Sequence, residues 1–256
     1  MHDAMRKISI LGLAAWLCSA PAYAIVGGGT PQVDGIARAI VTIVGSRGSF
    51  CTGTLIAPTV VLTAAHCVQP GAVYKLAETG SDGKPQLADT RAVTIHPAFN
   101  LQAMTAHRAT ADVALLQLQN PPQGKSPAAL APPLTITSAG TRLTVAGIGV
   151  TIPGSGKSAG SVRVASLAVT GKPGTLQVRL VDPTTGGTRE GIGACTGDSG
   201  GPVIQDGPDG PRIVGVISWS TGPNAGPGCG GLTGVTPLTL YRDWVLQTVH
   251  RWGAPL

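Results

Sequence analysis

The chain of 256 residues is long enough for one or two compact domains, and its 43% hydrophobic content excludes an intrinsically disordered protein. Only 12% of its residues are charged, whereas glycine (37) and proline (21) are plentiful, a balance that favours short strands joined by turns. We therefore expect a mainly β protein. The net charge of +6 comes from scattered basic residues without interleaved aromatic ones, so we do not expect the protein to bind nucleic acid.

Residues 1–24 have the three parts of an export signal peptide. Arg6 and Lys7 form the positive end, an apolar run follows from Ile8 to Ala20, and Ala22-Tyr23-Ala24 is a small-x-small cleavage site. The apolar run is too short to span a membrane as a helix of the mature protein. We therefore expect a secreted protein, extracellular or periplasmic, that starts at Ile25 and has no membrane contact after signal removal.

Beyond the signal, apolar and β-branched runs alternate with glycine and proline until about residue 220. A proline-rich crossing at 121–133 divides the chain into two halves, 25–125 and 126–256, and helical spacing of apolar residues occurs only from Leu238 to Trp252. The predicted strands include Ile40–Val44, Leu55–Ile56, Val60–Thr63, Arg91–His96, Val113–Leu118, Arg142–Ile148, Ser161–Val169, Leu176–Val181, Pro202–Ile204 and Ile213–Trp219.

Neither a metal nor a cofactor is expected. Four cysteines remain after signal removal, and an even number without a Cys-x-x-Cys pair predicts two disulfides in an exported chain. Gly154 to Ser158 has the ending of a phosphate-binding loop, but Thr151 stands where that pattern needs its first glycine. Glu78, Asp82 and Asp89 lack EF-hand spacing, so solvated loop acids are a commoner interpretation than a calcium site.

The segment Gly197-Asp198-Ser199-Gly200-Gly201-Pro202 places a serine among small residues that would let a substrate approach the backbone. By itself it could be only a run of turn formers. A nucleophilic serine also needs a base, a group that orients the base and donors for the developing oxyanion. His66 and Asp112 are candidates for the first two, because a carboxylate opening an apolar run is costly to bury without a partner.

Four segments together resemble the trypsin-like (chymotrypsin-fold) serine proteases. They are Ile25-Val26-Gly27-Gly28, Thr63-Ala64-Ala65-His66-Cys67, Asp112-Val113-Ala114-Leu115-Leu116 and Gly197–Pro202, and Ser218-Trp219 follows them. They occur in the family's order across almost the whole chain after residue 24. The resemblance implies an all-β fold of two packed six-stranded antiparallel β-barrels with a C-terminal α-helix, together forming one peptidase domain.

The resemblance also implies the roles of individual residues. Ser199 would attack the scissile carbonyl, His66 would take its proton and Asp112 would fix the imidazole tautomer. The backbone N–H groups of Gly197 and Ser199 would form the oxyanion hole. The implied disulfides are Cys51–Cys67 and Cys195–Cys229, each worth about 2–4 kcal/mol, while Leu143 and Gln205 stand where many relatives have a third bridge.

An activation pair is implied between the amine of Ile25 and the carboxylate of Asp198, and breaking such a buried pair costs roughly 3–5 kcal/mol. Because Ile25 directly follows Ala24, we hypothesise that signal peptidase itself creates the activating terminus. Such an enzyme would need no separate zymogen-cleaving protease.

The primary specificity pocket implied by the resemblance has no acid at its base, so small to medium neutral residues are expected before the scissile bond. Aromatic residues come second, and glutamate is possible through Ser220. The predicted function is secreted serine endopeptidase, acting as a monomer on polypeptides; the alternative is a catalytically silent binding module on the same fold. The implied pocket residues are Gly193, Ala194, Ser218, Trp219, Ser220 and Gly234.

Overall fold

The computed structural model describes residues 25–80, 83–106, 108–133, 138–208 and 210–254. The predicted signal peptide and Asp82 lie outside these ranges. The strands are β1 Thr30–Pro31, β2 Ile40–Gly45, β3 Phe50–Ala57, β4 Val60–Thr63, β5 Tyr74–Thr79, β6 Pro85–Ile95, β7 Ala114–Leu118, β8 Arg142–Gly147, β9 Arg163–Thr170, β10 Val178–Val181, β11 Pro202–Gln205, β12 Arg212–Ser220 and β13 Leu232–Pro237, and the α-helices are α1 Leu101–Thr105 and α2 Arg242–Arg251.

Two closed barrels of six antiparallel strands make up the molecule, which confirms the predicted fold class. The first barrel has the strand order β2-β3-β4-β7-β6-β5. The second has the order β8-β9-β10-β13-β12-β11 and closes through the pairing of β11 with β8, while the short strand β1 adds to β9. Closure leaves neither sheet with a long unpaired edge, so the backbone donors and acceptors are satisfied within each barrel.

Two barrel strands are absent from the sequence prediction, β5 and β13. β5 carries polar residues such as Lys75 and Glu78, and β13 contains Gly234 and ends at Pro237, so neither has the apolar run expected of a strand. Each becomes a strand because it fills a gap between two neighbours, β2 and β6 for β5, and β10 and β12 for β13. Barrel closure overrides local propensity here.

The ends of the chain cross between the two halves. Ile25 and Val26 are buried against the second barrel, where Val26 forms an isolated bridge with Gly193. The C-terminal helix α2 returns to the first barrel and buries Val245 and Val249 in its core. Regular helix covers only Arg242–Arg251 of the predicted 238–252, preceded by a separate 3₁₀ turn. In the described part of the chain, no helix is both long and apolar enough to cross a membrane.

The fold brings the candidate residues together through strand pairing. His66 lies on a 3₁₀ turn, residues 65–68, directly after β4, and Asp112 lies just before β7. These strands are antiparallel neighbours in which Thr63 opposes Ala114, so the end of one meets the start of the other. The serine loop reaches the same place from the second barrel, because Thr52 N–H of β3 donates to the Ser199 carbonyl at 2.9 Å.

Candidate active site

Asp112 is a buried carboxylate whose two oxygens both face His66. Oδ1 accepts the backbone N–H of His66 at 2.9 Å, and Oδ2 lies 2.8 Å from the imidazole Nδ1. The Asp112 side chain is 1% exposed and that of His66 is 20% exposed. A carboxylate at Nδ1 places the imidazole proton on that nitrogen and leaves Nε2 as an acceptor. Cys67 Sγ, a disulfide sulfur without a proton to donate, lies 3.7 Å from Nε2, and no hydrogen bond joins Nε2 to Ser199 among the described residues. This arrangement fixes the orientation of the His66 ring.

A β-bulge in β12 brings a third group to Asp112. The register between β12 and β13 shifts between Ile217 and Trp219, so Ser218 is the extra residue. Its hydroxyl donates to Asp112 Oδ2 at 2.5 Å. Bulges re-aim a side chain in this way, and the hydrogen bond gives the buried carboxylate a further partner. The structure therefore brings Ser218 to Asp112, although the sequence grouped it with the pocket wall.

The serine loop is fixed against the first barrel by contacts that leave no room for a side chain at Gly200. A Cβ on Gly200, whose φ is +84°, would collide with Thr63 Oγ1 and the Thr52 carbonyl. The Thr52 hydroxyl donates to the Gly197 carbonyl at 2.7 Å and accepts from Ile148 N–H at 3.1 Å. These buried bonds hold the loop from both sides, while Ser199 itself stays partly exposed.

Two backbone donors of this loop point to no protein acceptor. Among the residues that the structure describes, no group accepts a hydrogen bond from the N–H of Gly197 or of Ser199. Gly197 has φ +94°, and a Cβ there would lie 2.9 Å from the Phe50 ring and from Gly149 Cα. Glycine is thus required for this backbone conformation, which keeps both donors available for an acceptor from outside the protein.

Asp198 points away from the serine and is completely buried. Its Oδ1 accepts from Gly149 N–H at 2.8 Å and its Oδ2 from Cys195 N–H at 2.9 Å. Burial raises the pKa of this carboxyl to about 7, while the bonds from Cys195 and Gly149 act in the opposite direction. Ile25 is buried in the apolar cluster of the second barrel, which also contains Ala194.

Both disulfides implied by the resemblance are formed, and each tethers a site segment. Cys51–Cys67 joins β3 to the turn that carries His66, with a Cα–Cα distance of 6.1 Å, and Cys195–Cys229 anchors the serine loop, with 5.1 Å. Ligand-type atoms of Cys51, His66 and Cys67 lie within 4.8 Å of one another. Because the two sulfurs are bonded to each other, neither is a thiolate that could bind a metal there.

Three of the six predicted pocket residues, Gly193, Ala194 and Ser220, lie around the side chain of Thr233. Ala194 N–H donates to Thr233 Oγ1 at 3.0 Å, and a Cβ on Gly193 would lie 3.5 Å from the same oxygen. Thr233 also pairs with Ser220 across the β12–β13 ladder. Thr233 therefore stands between the base residues and the opposite wall, and it is completely buried.

Gly234 lies on the other side of strand β13. It pairs with Trp219, and a Cβ on Gly234 would collide with the Trp219 indole. Since successive residues of a strand face opposite sides, Thr233 faces Ala194 whereas Gly234 shares the opposite face with Trp219. Sequence reasoning missed Thr233; the alternation of β13 from Val235 could have indicated it.

Two barrels with a serine, a histidine and a buried aspartate at their junction define the chymotrypsin-like architecture. The family model described as Trypsin matches residues 26–245. Pig (Sus scrofa) trypsin is 30% identical over 244 residues, covering 88% of this chain and 95% of the relative, and rat (Rattus norvegicus) cationic trypsin-3 is 31% identical over 240, covering 88% and 89%. The solved structure of human heparin binding protein has a TM-score of 0.68 at 26% identity, covering 88% of this chain and 97% of its own. The chain belongs to the trypsin family.

Proposed function

We propose that the protein is a secreted serine endopeptidase that hydrolyses peptide bonds through a Ser-His-Asp acyl-enzyme mechanism. The observation that supports it most is the double attachment of His66 to Asp112, through the backbone N–H and through Nδ1. A histidine held only for packing would not need a buried carboxylate at both positions. The free Nε2 is the group that a nucleophilic serine requires.

In the proposed reaction, Ser199 Oγ attacks the substrate carbonyl carbon while its proton moves to His66 Nε2. The carbonyl oxygen becomes an oxyanion and accepts hydrogen bonds from the N–H groups of Gly197 and Ser199. The C–N bond then breaks, the leaving amine takes the proton from His66, and an ester on Ser199 remains. Water then attacks the ester carbonyl and gives a proton to His66 Nε2. The C–O bond to Ser199 breaks, Ser199 Oγ takes that proton back, and the acid product is released. Asp112 keeps accepting the hydrogen bond from Nδ1–H and so stabilises the imidazolium.

The proposed specificity is for small to medium neutral residues before the scissile bond. The base of the pocket is formed by Gly193 and Ala194, neither of which can pair with a lysine or arginine of the substrate. Thr233 occupies space that a glycine would leave open, and its hydroxyl is already engaged by Ala194 N–H. A pocket narrowed in this way favours short apolar side chains over aromatic ones.

We also propose that export itself activates the enzyme. Ile25 has φ +52°, a region that β-branched residues adopt only under strain of order 1–3 kcal/mol. Cutting the chain before Ile25 removes the preceding carbonyl and with it this restriction. The new ammonium would then pair with the Asp198 carboxyl, whose pKa burial raises to about 7. Terminal sequencing of the secreted protein tests this, and a mature chain that starts elsewhere contradicts it.

Labelling with a fluorophosphonate tests the catalytic proposal. The wild-type protein should be labelled at one serine and should cleave unfolded polypeptide, and Ser199→Ala should abolish both. Ser161→Ala, at an exposed serine of the second half, is the matched control and should behave as wild type. A correctly folded wild-type protein that is neither labelled nor active would instead support the silent binding module.

A further inference from the structure

The second barrel contains an apolar cavity at one end. Its volume is about 270 Å³, and its wall includes Leu143, Val178, Val203, Val214 and Val235, with Pro173 and Pro237 at the rim. All five aliphatic side chains belong to the apolar cluster of this barrel. The cavity is therefore part of the barrel interior and lies apart from His66 and Ser199.

The cavity has a physical cause in the composition of the barrel. Closing six strands fixes the diameter of a barrel, and its side chains must then fill the enclosed space. The first barrel has Tyr74 of β5 among its buried residues, whereas the described core of the second consists of aliphatic residues and alanines. Short side chains in a barrel of the same strand number leave space unfilled.

Next to this cavity lies an open and basic one of about 590 Å³. Lys172 and Arg179 contribute to its lining, which includes no acidic side chain among the described residues. Both basic side chains are exposed, and neither forms an ion pair within the described part of the chain. The two cavities share Gly174 and Thr175, so the apolar interior and the basic surface meet at one turn.

We propose that this end of the barrel binds a single-chain anionic amphiphile, such as a medium-chain fatty acid. The alkyl chain would occupy the apolar cavity. Burial of the chain there removes apolar surface from water, and an apolar cavity offers water no hydrogen-bond partners. The carboxylate would stay at the shared turn beside Lys172 and Arg179, where two unpaired cations favour an anion. The occupant is one free molecule, because the cavity lies among core side chains of the barrel and is not a flat surface that could rest on a membrane.

Calorimetric titration of the purified protein with hexanoate, octanoate and decanoate, each below its micelle concentration, tests the proposal. Each added methylene should tighten binding by about fourfold until the cavity is full, with a negative heat-capacity change. Octanol should bind more weakly than octanoate, and octyltrimethylammonium should not bind. No saturable binding, affinity independent of chain length, or equal binding of the cationic amphiphile would overturn the proposal.

Variants separate the two parts of the site. Lys172→Ala and Arg179→Ala should each weaken octanoate about threefold to tenfold and leave octanol unchanged. Arg91→Ala, at an exposed arginine on a strand of the first barrel, is the matched control and should leave both unchanged. Val214→Phe should fill the cavity and abolish binding of both; if it does not fold, the charge variants still decide. Binding to anionic vesicles without binding of free octanoate would contradict a single-molecule occupant.

Discussion

At the scale of single residues, the two buried carboxylates of the site, Asp112 and Asp198, each have identifiable hydrogen-bond donors. Asp112 accepts from the His66 backbone, the His66 ring and the Ser218 hydroxyl, which together satisfy a carboxylate that is 1% exposed. Such a carboxylate is expensive to bury without those bonds. The three donors around Asp112 thus require an acceptor at this position. Replacing its carboxylate with an amide of the same shape should affect turnover more than folding.

Replacing Asp112 with asparagine should lower kcat by about ten-thousand-fold with little change in KM. A loss of this size follows the same substitution of the triad aspartate in a well-characterised Ser-His-Asp protease. The amide would present a donor where Nδ1–H needs an acceptor, so Nε2 would carry the proton and could not act as a base. Steady-state kinetics on a peptide ester measure the effect. Asp89→Asn, which removes an exposed partner of Lys75, is the control, and equal losses in both variants would contradict the assignment.

Thr233 gives a second prediction at this scale. Thr233→Gly should enlarge the pocket and raise kcat/KM for aromatic residues relative to alanine by at least about tenfold, because it removes two carbon groups and a hydroxyl. Thr233→Ser keeps the hydrogen bond from Ala194 N–H and should give an intermediate profile. Cleavage of a peptide library measures the preference. Preferential cleavage after arginine or lysine by the wild type would refute the proposed pocket.

At the scale of secondary-structure elements, the C-terminal helix α2 shows how one half of the chain supports the other. The His96 ring, just after β6, packs edge-on against Tyr241 and Trp244 with centroid distances of 4.9 Å to each. Burial lowers the pKa of His96 below 6.5. The neutral imidazole is therefore the form that suits this contact between the helix and the first barrel.

This contact should make stability depend on pH in a definite direction. The folded pKa of His96 is depressed, so its contribution is complete above pH of about 6.5 and is lost as pH falls through the lower folded value. His96→Phe keeps an aromatic ring but cannot titrate, so its free energy of unfolding should fall less on acidification than that of the wild type. His250→Gln, at an exposed position of α2, is the control. Parallel denaturation profiles of His96→Phe and wild type would contradict the prediction.

At the scale of the whole molecule, the segment Ile25–Val26 and the serine loop both pack in the second barrel. Ile25 is buried there, Val26 accepts from Gly193 N–H at 3.2 Å, and Asp198 lies buried in the loop that carries Ser199. A change at the peptide bond before Ile25 therefore acts on the core of the barrel that holds the nucleophile. In the proposed enzyme, folding and activation share these contacts.

A form of the protein that is extended before Ile25 and a form that begins at Ile25 should differ in how their stability depends on pH. Both forms carry Ser199→Ala. When the Ile25 nitrogen stays in a peptide bond, Asp198 has a raised pKa of about 7, so its stabilising effect is present below about pH 4 and is lost as pH rises towards 7. When Ile25 is the free terminus, pairing should keep the carboxylate ionised and raise the pKa of the amine above its ordinary value of about 7.7–8.0.

The stability advantage of the form that begins at Ile25 should therefore grow from about pH 4 to 7 and decline as pH rises through the folded pKa of the amine. Denaturant unfolding of both forms across this range measures the advantage. Asp198→Asn should remove the difference in pH dependence. Parallel curves for the two forms in the presence of Asp198 would rule out the pairing.

The sequence alone determined the overall plan of this protein. Regular β-rich runs predicted a mainly β protein with a terminal helix, because apolar spacing and turn residues are local properties of a chain. The two barrels were implied by the resemblance that four ordered motifs carry. The segments that carry His66, Asp112 and Ser199 could be identified for the same reason, since each is a short contiguous motif. Strands β5 and β13 could not, because only their neighbours in a closed barrel make them strands.

Only the tertiary structure decided which residues share a space. Ser218 reaches Asp112 through a bulge between two strands, and Thr233 rather than Gly234 faces Ala194 because of the register of β13. A shift of one residue reverses every side chain of a strand, and no local signal fixes that register. The cavity of the second barrel is also a tertiary property. Side chains from several strands line it, and together they fill less than the volume that the six strands enclose.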